Sequence, residues 1–327
     1  DVNSLYPSMM SSESGNKFPV GLPIFWKGNY IPEEALRSNK YFFIRIRTRF
    51  EIKKNKLPFI QIKHDIRYKS TEMLKSSAVI INGEIIENEP VTMTMTMTDY
   101  ELFLEHYKVD DSFEILDGCY FGAEVGIFDD YIEKYKKLKL ESTGARRELA
   151  KLFLNNLYGK MASSTNSSFK FVDDDEQGLH FMMQPEYNKT AGYIPIGSAI
   201  TSYARNFTIR AAQKNYKHFI YADTDSIHCD LPPDKLKGIK VDDNAFCCWK
   251  LESCWDEAVF IRQKTYAEHI THTNLKPISF PHWEVKCAGM PDTCKELFLH
   301  SFKPYVSKLL AKGADITLHH KPLTPDE

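Results

Sequence analysis

The chain has 327 residues and a formal net charge of −2, with 43% hydrophobic and 26% charged residues. This excludes a disordered chain and supplies apolar material for about two or three domains. Seven cysteines are scattered without a C-x-x-C pair, and Cys247 and Cys248 are adjacent. A zinc or disulfide framework is therefore not expected, and a reducing cytoplasmic setting is. No stretch approaches the ~20 apolar residues of a membrane span, so no membrane partner is expected. The sequence opens on Asp1 and runs at once into a dense motif, which reads as a fragment whose upstream part has been cut away.

In chain order, Asp1-Val-Asn-Ser-Leu-Tyr-Pro-Ser8 reads locally as a strand end entering a Pro-marked turn. Residues 41–52 alternate apolar and charged from Phe43 onward, the pattern of a half-buried strand. Val91-Thr-Met-Thr-Met-Thr-Met97 alternates in the same way, with the methionines as core filler. Thr98-Asp-Tyr-Glu101 then carries a cap and early acids for a helix. Residues 129–140 and 145–160 read as two helices broken by Glu141-Ser-Thr-Gly144. Residues 163–189 read as a loop or small hairpin and 197–215 as a helix. Phe219 to Leu231 reads as strand, tight turn, strand, stopped by Pro232-Pro233.

Three segments carry chemistry. In Tyr221-Ala-Asp-Thr-Asp-Ser226, residues two apart on an extended chain point to one side, so Asp223 and Asp225 project together. Two like charges held close call for a cation, and hard carboxylate oxygens select Mg²⁺ or Mn²⁺; a solvated hairpin tip is the alternative. Asp1 supplies a third carboxylate. From Lys134 to Lys160 there are eight basic residues against two acidic ones, a local anion site within a near-neutral chain or a solvated helix face. There Arg147, Lys151, Asn155 and Tyr158 share one helical face, with Leu149, Leu152 and Phe153 turned away to pack against the body. Two cations, an amide and a phenol ring suit a nucleoside triphosphate.

Taken together, in order, these segments resemble the polymerase motifs of family B DNA polymerases. Arg262-Gln-Lys-Thr-Tyr266 and Lys286-Cys-Ala-Gly-Met290 are similar to the protein-primed branch of bacteriophages and linear plasmids. The resemblance implies an α+β, right-hand fold with a palm containing an antiparallel β-sheet, helical fingers and a small partial thumb. Palm would be 1–55 and 190–287, fingers 127–162 and thumb 288–327. Two insertions would lie at 56–126, contacting the priming terminal protein, and at 163–189, serving strand displacement and processivity.

The resemblance also implies roles. Asp1, Asp223 and Asp225 would be catalytic, with Asp1, Asp225 and the Val2 carbonyl holding two Mg²⁺ ions that Mn²⁺ can replace. Tyr6, Lys139, Lys151, Asn155 and Tyr158 would bind the dNTP, Tyr6 excluding a 2′-hydroxyl. Ser4, Thr201, Arg205, Thr224, Lys264, Tyr266 and Lys286 would contact primer-template DNA. The implied activity is DNA-directed DNA synthesis, without the 3′–5′ exonuclease domain that precedes the first motif in that branch. An RNA-directed polymerase is disfavoured by the Lys-x-x-x-Asn-x-x-Tyr-Gly helix and the Asp-Thr-Asp turn. A DNA- or terminal-protein-binding module without chemistry is the non-enzymatic alternative.

Overall fold

A computed structural model describes residues 1–61, 73–81, 84–163, 168–175, 178–185, 191–295 and 299. Residues 1–4 lead into a short helix, α1 (Leu5–Met10), in place of the strand end expected there. Pro7 lies in the first turn of this helix, where its missing N–H forfeits no intrahelical bond. Strands β1 (Lys17–Lys27), β2 (Lys40–Thr48) and β3 (Phe50–Ile52) follow, then β4 (Ala78–Ile81), β5 (Glu84–Glu87) and β6 (Val91–Thr96). Helix α2 (Met97–His106) leads into β7 (Tyr107–Val109) and β8 (Glu114–Val125).

The main sheet is antiparallel, in the order β1-β8-β2-β6. Alternation in β2 works as expected: Ile44 and Ile46 are fully buried, while Arg45 and Arg47 are exposed and Arg45 pairs with Asp117 on β8. Across the β2–β6 ladder, Ile44 faces Met95 and Ile46 faces Met93, so the methionines do line the core. β6 and β8 lie within residues 56–126, yet they complete the sheet built by β1 and β2. The sheet thus runs across the boundary expected at residue 55. Helix α2 starts earlier than expected. Thr96, not Thr98, is its cap, and the Thr96 Oγ1 accepts from the Asp99 amide at 3.1 Å. The last residue of the strand doubles as the first of the helix junction, leaving no linker.

Helices α3 (Asp129–Glu141) and α4 (Gly144–Met161) form an antiparallel arm, and Gly144 takes the positive φ of 58° that their tight junction requires. The expected loop or hairpin is a hairpin, β9 (Ser168–Asp175) and β10 (Gly178–Pro185). Helix α5 (Ile194–Lys214) precedes the hairpin β11 (Phe219–Asp223) and β12 (Ser226–Cys229). Strands β13 (Ser253–Arg262), β14 (Thr265–Thr273) and β15 (Lys276–Cys287) close the described fold as an antiparallel sheet. Of the expected thumb, residues 296–298 and 300–327 lie outside the described residues. So do 62–72 and 82–83 in the first expected insertion, and 164–167, 176–177 and 186–189 in the second. No helix among the described residues is long and apolar enough to cross a membrane.

The two faces of the main sheet pack separate cores. Phe42, Ile44 and Ile46 join Leu102 and Phe103 of α2 on one side. Tyr41 joins Phe18, Ile132, Leu154, Ile196 and Ile200 on the other, which seats α3, α4 and α5. A third cluster of Val2, Leu5, Met9, Ala204, Ala211 and Trp249 fixes α1 against α5. Helix α5 is the common support, and small buried residues such as Gly197, Ala199 and Ala204 let its neighbours approach. A Cβ on Gly197 would sit 3.0 Å from the Ala162 Cβ. Polar contacts tie α5 outward: Arg210 grips Glu105 of α2 through two 2.8 Å bonds, and the Tyr203 hydroxyl donates to the Lys17 carbonyl at 2.8 Å.

One expectation for α4 fails. Leu149, Leu152 and Phe153 do not pack against the body; they are 53%, 53% and 46% exposed. The stripe that packs is Ala150, Leu154 and Leu157, at steps of four and three and rotated about a third of a turn from the expected one. Phe153 instead stacks on Tyr135 of α3, ring centroids 4.9 Å apart, so this side chain packs within the arm. Leu154→Ala is expected to destabilise the chain by about 2–5 kcal/mol, and Leu152→Ala by no more than about 0.5 kcal/mol. Chemical denaturation of the two variants checks the phase of the helix.

Candidate active site

The site forms where the start of the chain meets the turn between β11 and β12. The Val2 amide donates to the Asp225 carbonyl at 2.6 Å, and the Lys250 amide donates to the Asp1 carbonyl at 2.7 Å. Asn3 continues the join, donating through its amide to Cys248 at 3.0 Å. Residues 1–3 are thereby threaded between the hairpin turn and residues 248–250. That threading puts Asp1, Asp223 and Asp225 on one cleft of about 1160 Å³, together with Thr224, Lys264, Tyr266 and Lys286.

The hairpin turn is strained in a directed way. β11 and β12 pair Asp223 with Ser226, leaving Thr224 and Asp225 as the loop, and Thr224 has a φ of 47°. A β-branched residue rarely adopts this left-handed conformation. It is held by the Thr208 hydroxyl of α5, which donates to the Thr224 carbonyl at 3.0 Å, and by the Thr224 hydroxyl, which donates to Asp223 Oδ1 at 3.1 Å. Ser4 and Lys264 also carry positive φ, 47° and 59°. Ser4 reverses the chain into α1, and Lys264 turns the hairpin between β13 and β14. Nothing in their residue types announced these conformations.

Charge is balanced unevenly around the three carboxylates. Lys264 Nζ lies 3.2 Å from Asp223 Oδ2, and the Lys264 amide donates to the Tyr221 hydroxyl at 2.8 Å. Burial pushes the Asp225 carboxyl above the usual carboxylate range. The charges of Asp223 and Glu252 push the same way, against a backbone hydrogen bond and the Asp1 ammonium. Glu252 was missed by the sequence reading, since it belongs to no motif and reaches the site only through the fold. Tyr221 heads the hairpin motif and lies two residues from Asp223, which was the available signal for its role; burial lifts its phenol to about 12.

A second group of side chains flanks the carboxylates. Tyr6, carried by α1, meets Tyr158 of α4 with ring centroids 4.6 Å apart. Burial raises the Tyr6 phenol, and Tyr158 and Asp225 add to the effect. Lys139 Nζ of α3 donates to Ser4 Oγ at 3.2 Å. Burial lowers its ammonium pKa, and the cations Arg147 and Lys151 lower it further, opposed only by Glu148. Asn155 is exposed on the α4 face shared with Arg147 and Lys151.

The expected DNA-contacting residues are less uniform. Thr201 Oγ1 donates back to the Ser198 carbonyl at 3.0 Å, within α5. Arg205 reaches close enough to act on the Tyr6 phenol, but its guanidinium pairs with Asp99 at 2.6 Å. Lys286 pairs with Glu284 on its own strand. Among the described residues no group of three or more His, Cys, Asp or Glu side chains is placed to hold a metal ion.

Comparison with known proteins places the chain in a family. Residues 1–242 match the family model described as DNA polymerase type B, organellar and viral. The DNA polymerase of Bacillus phage Nf is 40% identical over 309 residues, covering 90% of this chain and 51% of that protein. The DNA polymerase of Bacillus phage phi29 is 38% identical over 322 residues, covering 93% and 52%. That of Streptococcus phage Cp-1 is 34% identical over 299 residues, covering 90% and 49%. A solved structure of phi29 DNA polymerase, in a ternary complex with primer-template DNA and incoming nucleotide substrates, superposes with a TM-score of 0.76 at 39% identity, over 91% of this chain and 51% of that one. The chain spans about half the length of these relatives. The match over most of its residues, together with the α+β fold, shows that it belongs to the organellar and viral type B DNA polymerase family.

Proposed function

We propose that the chain catalyses template-directed DNA synthesis, adding dNTPs to a primer 3′-hydroxyl. The observation that carries this reading is the convergence of Asp1, Asp223 and Asp225 on one cleft beside the cationic helix pair. Membership of a DNA polymerase family implies dependence on a divalent metal in general; we assign two Mg²⁺ ions, replaceable by Mn²⁺. The donors suit it: the Asp225 carboxylate is pressed by Asp223 and Glu252, and Mg²⁺ is commonly bound by one or two carboxylates plus substrate phosphates. Asp1, Asp225 and the Val2 carbonyl would hold the ions. When bound, they would supply activation of the primer hydroxyl and neutralisation of the departing pyrophosphate.

The chain's own residues do the positioning. Lys139, Arg147, Lys151 and Asn155 present an anion site for the triphosphate, and its cations offset the phosphate charge. Tyr6 and Tyr158 form the floor beneath sugar and base, where Tyr6 leaves no room for a 2′-hydroxyl. Lys264 holds the primer end close to the Asp223 carboxylate, supported by Tyr266. Ser4, Thr201, Arg205, Thr224 and Lys286 complete the primer-template path, Arg205 and Lys286 exchanging their carboxylate partners for phosphates. Base pairing with the template carries the sequence information.

The division into palm, fingers, two insertions and thumb belongs to the same proposal, as do protein priming by a terminal protein and action in a host cytoplasm. Priming is supported by Arg262-Gln-Lys-Thr-Tyr266 and Lys286-Cys-Ala-Gly-Met290 and by phage polymerases among the relatives.

Asp225→Asn is expected to lower primer extension by about a thousandfold or more, a loss on the scale of one lost electrostatic anchor in a transition state. Primer-template affinity, followed by fluorescence anisotropy, should stay within a few fold; normal extension by this variant would reject the assignment. Tyr6→Val is expected to raise ribonucleotide incorporation relative to deoxyribonucleotide by roughly tenfold or more, read by competitive extension. Lys151→Gln should raise the titration midpoint of Lys139, because one of the cations depressing it is gone. Nitrogen-detected NMR of the lysine side chain reads the shift, and inorganic pyrophosphate added to the unsubstituted chain should move it the same way.

A further inference from the structure

Two hairpins meet behind the carboxylates. One is β11–β12, which carries Asp223 and Asp225; the other is β13–β14, which carries Lys264 and Tyr266. Their shared face follows from strand periodicity: Tyr221 and His228 are cross-strand partners on the first hairpin, and Phe260 and Tyr266 are partners on the second. The four rings form one cluster. His228 lies 5.2 Å from Phe260 and 5.1 Å from Tyr266, while Tyr221 lies 5.2 Å and 5.4 Å from the same two rings.

Ring contacts of this kind have broad minima over centroid separations of about 4.5–7 Å, so they hold the hairpins together without fixing how far one slides along the other. Glu268 shares a strand face with Tyr266, two residues away, and its carboxylate is 5% exposed as a residue. Its Oε1 lies 2.7 Å from His228 Nδ1. His228 Nε2 is buried and makes no hydrogen bond, so the ring directs its hydrogen bonding to this one partner. A short hydrogen bond to a charged acceptor is directional and steep with distance. It therefore sets the register that the rings leave loose.

That register has a visible consequence. The tip of the second hairpin must reach the first at two points: the Lys264 amide to the Tyr221 hydroxyl at 2.8 Å, and Lys264 Nζ to Asp223 at 3.2 Å. A buried carboxylate is otherwise unfavourable, and a pair of well-packed apolar side chains would serve stability as well or better. We propose that His228 and Glu268 are positioning residues: their buried hydrogen bond pins the β13–β14 hairpin to the carboxylate hairpin and so sets where Lys264 presents its ammonium at the primer end.

The positional part of this inference stands on geometry, and the primer part rests on the polymerase reading above. The test uses the full chain in three forms: unsubstituted, Glu268→Gln, which keeps an acceptor for the imidazole N–H, and His228→Phe/Glu268→Leu, which keeps the volume without the polar bond. Hydrogen exchange over residues 262–266 reads the Lys264 amide. Steady-state primer extension reads the kinetic constants for primer and for dNTP separately.

The double variant is expected to keep its thermal midpoint within a few degrees. Its Lys264 amide should exchange at least tenfold faster, kcat/KM for primer should fall at least tenfold, and KM for dNTP should stay within twofold. Glu268→Gln should remain within threefold of the unsubstituted chain on every reading. Unchanged exchange at Lys264 in the double variant overturns the proposal, as does a fall in all kinetic constants in proportion to lost folded protein. If the double variant does not fold, Glu268→Ala is read by the same criteria. If the unsubstituted chain extends no primer, the polymerase reading fails, and hydrogen exchange alone still decides whether the pair is a pin.

Discussion

The site depends on the 2.6 Å hydrogen bond by which the Val2 amide reaches the Asp225 carbonyl. It joins the first residues of the chain to a turn that follows them by most of the sequence, and places carboxylates of like charge within one partly buried space. Such an arrangement is unfavourable on its own, because burial and mutual repulsion both act against the ionised forms. It persists because the backbone is held by groups that do not depend on the charges. These include the Lys250 amide on the Asp1 carbonyl, the Asn3 amide on Cys248 and the Thr208 hydroxyl on Thr224. Charge repulsion is thus resisted by backbone hydrogen bonds rather than answered by counter-charges alone.

The same principle explains where the cations stand. Lys264 takes up Asp223, but Lys139 is set on the neutral hydroxyl of Ser4, not on a carboxylate. With Arg147 and Lys151 nearby, it stands in a mainly positive environment that Glu148 offsets only in part. A polyanionic ligand would relieve that strain as a cation would relieve the strain around Asp225. The two halves of the site are therefore complementary: one is short of positive charge and the other of negative.

Much of this was legible in the sequence because it is written in local periods. The alternation of β2 and β6, the break at Gly144 and the strand-turn-strand around Asp223 all follow from spacing and turn residues. What was not legible has a common cause. Leu149, Leu152 and Phe153 are as apolar as Ala150, Leu154 and Leu157, so composition could not say which stripe faces the body; the packing of α3 decides it. Thr96 and Thr98 are equivalent caps by type, and the end of β6 selects between them. Glu252, His228 and Glu268 belong to no motif and matter only through strands distant in sequence. The left-handed backbone at Ser4, Thr224 and Lys264 is imposed by tertiary contacts on residues with no preference for it.

Helix α5 finally bears on how the molecule comes apart. Along its length it is bonded to β1 through Tyr203, to the start of α2 through Ser202, Arg205 and Asn206, to the carboxylate turn through Thr208, and to the segment after β12 through Asn215. Helix α5 cannot loosen without releasing all of these partners. Loosening of α5 is therefore tied to the free energy of unfolding the sheet, not to the lower cost of fraying a surface turn. The helix and the carboxylate turn it holds are lost together.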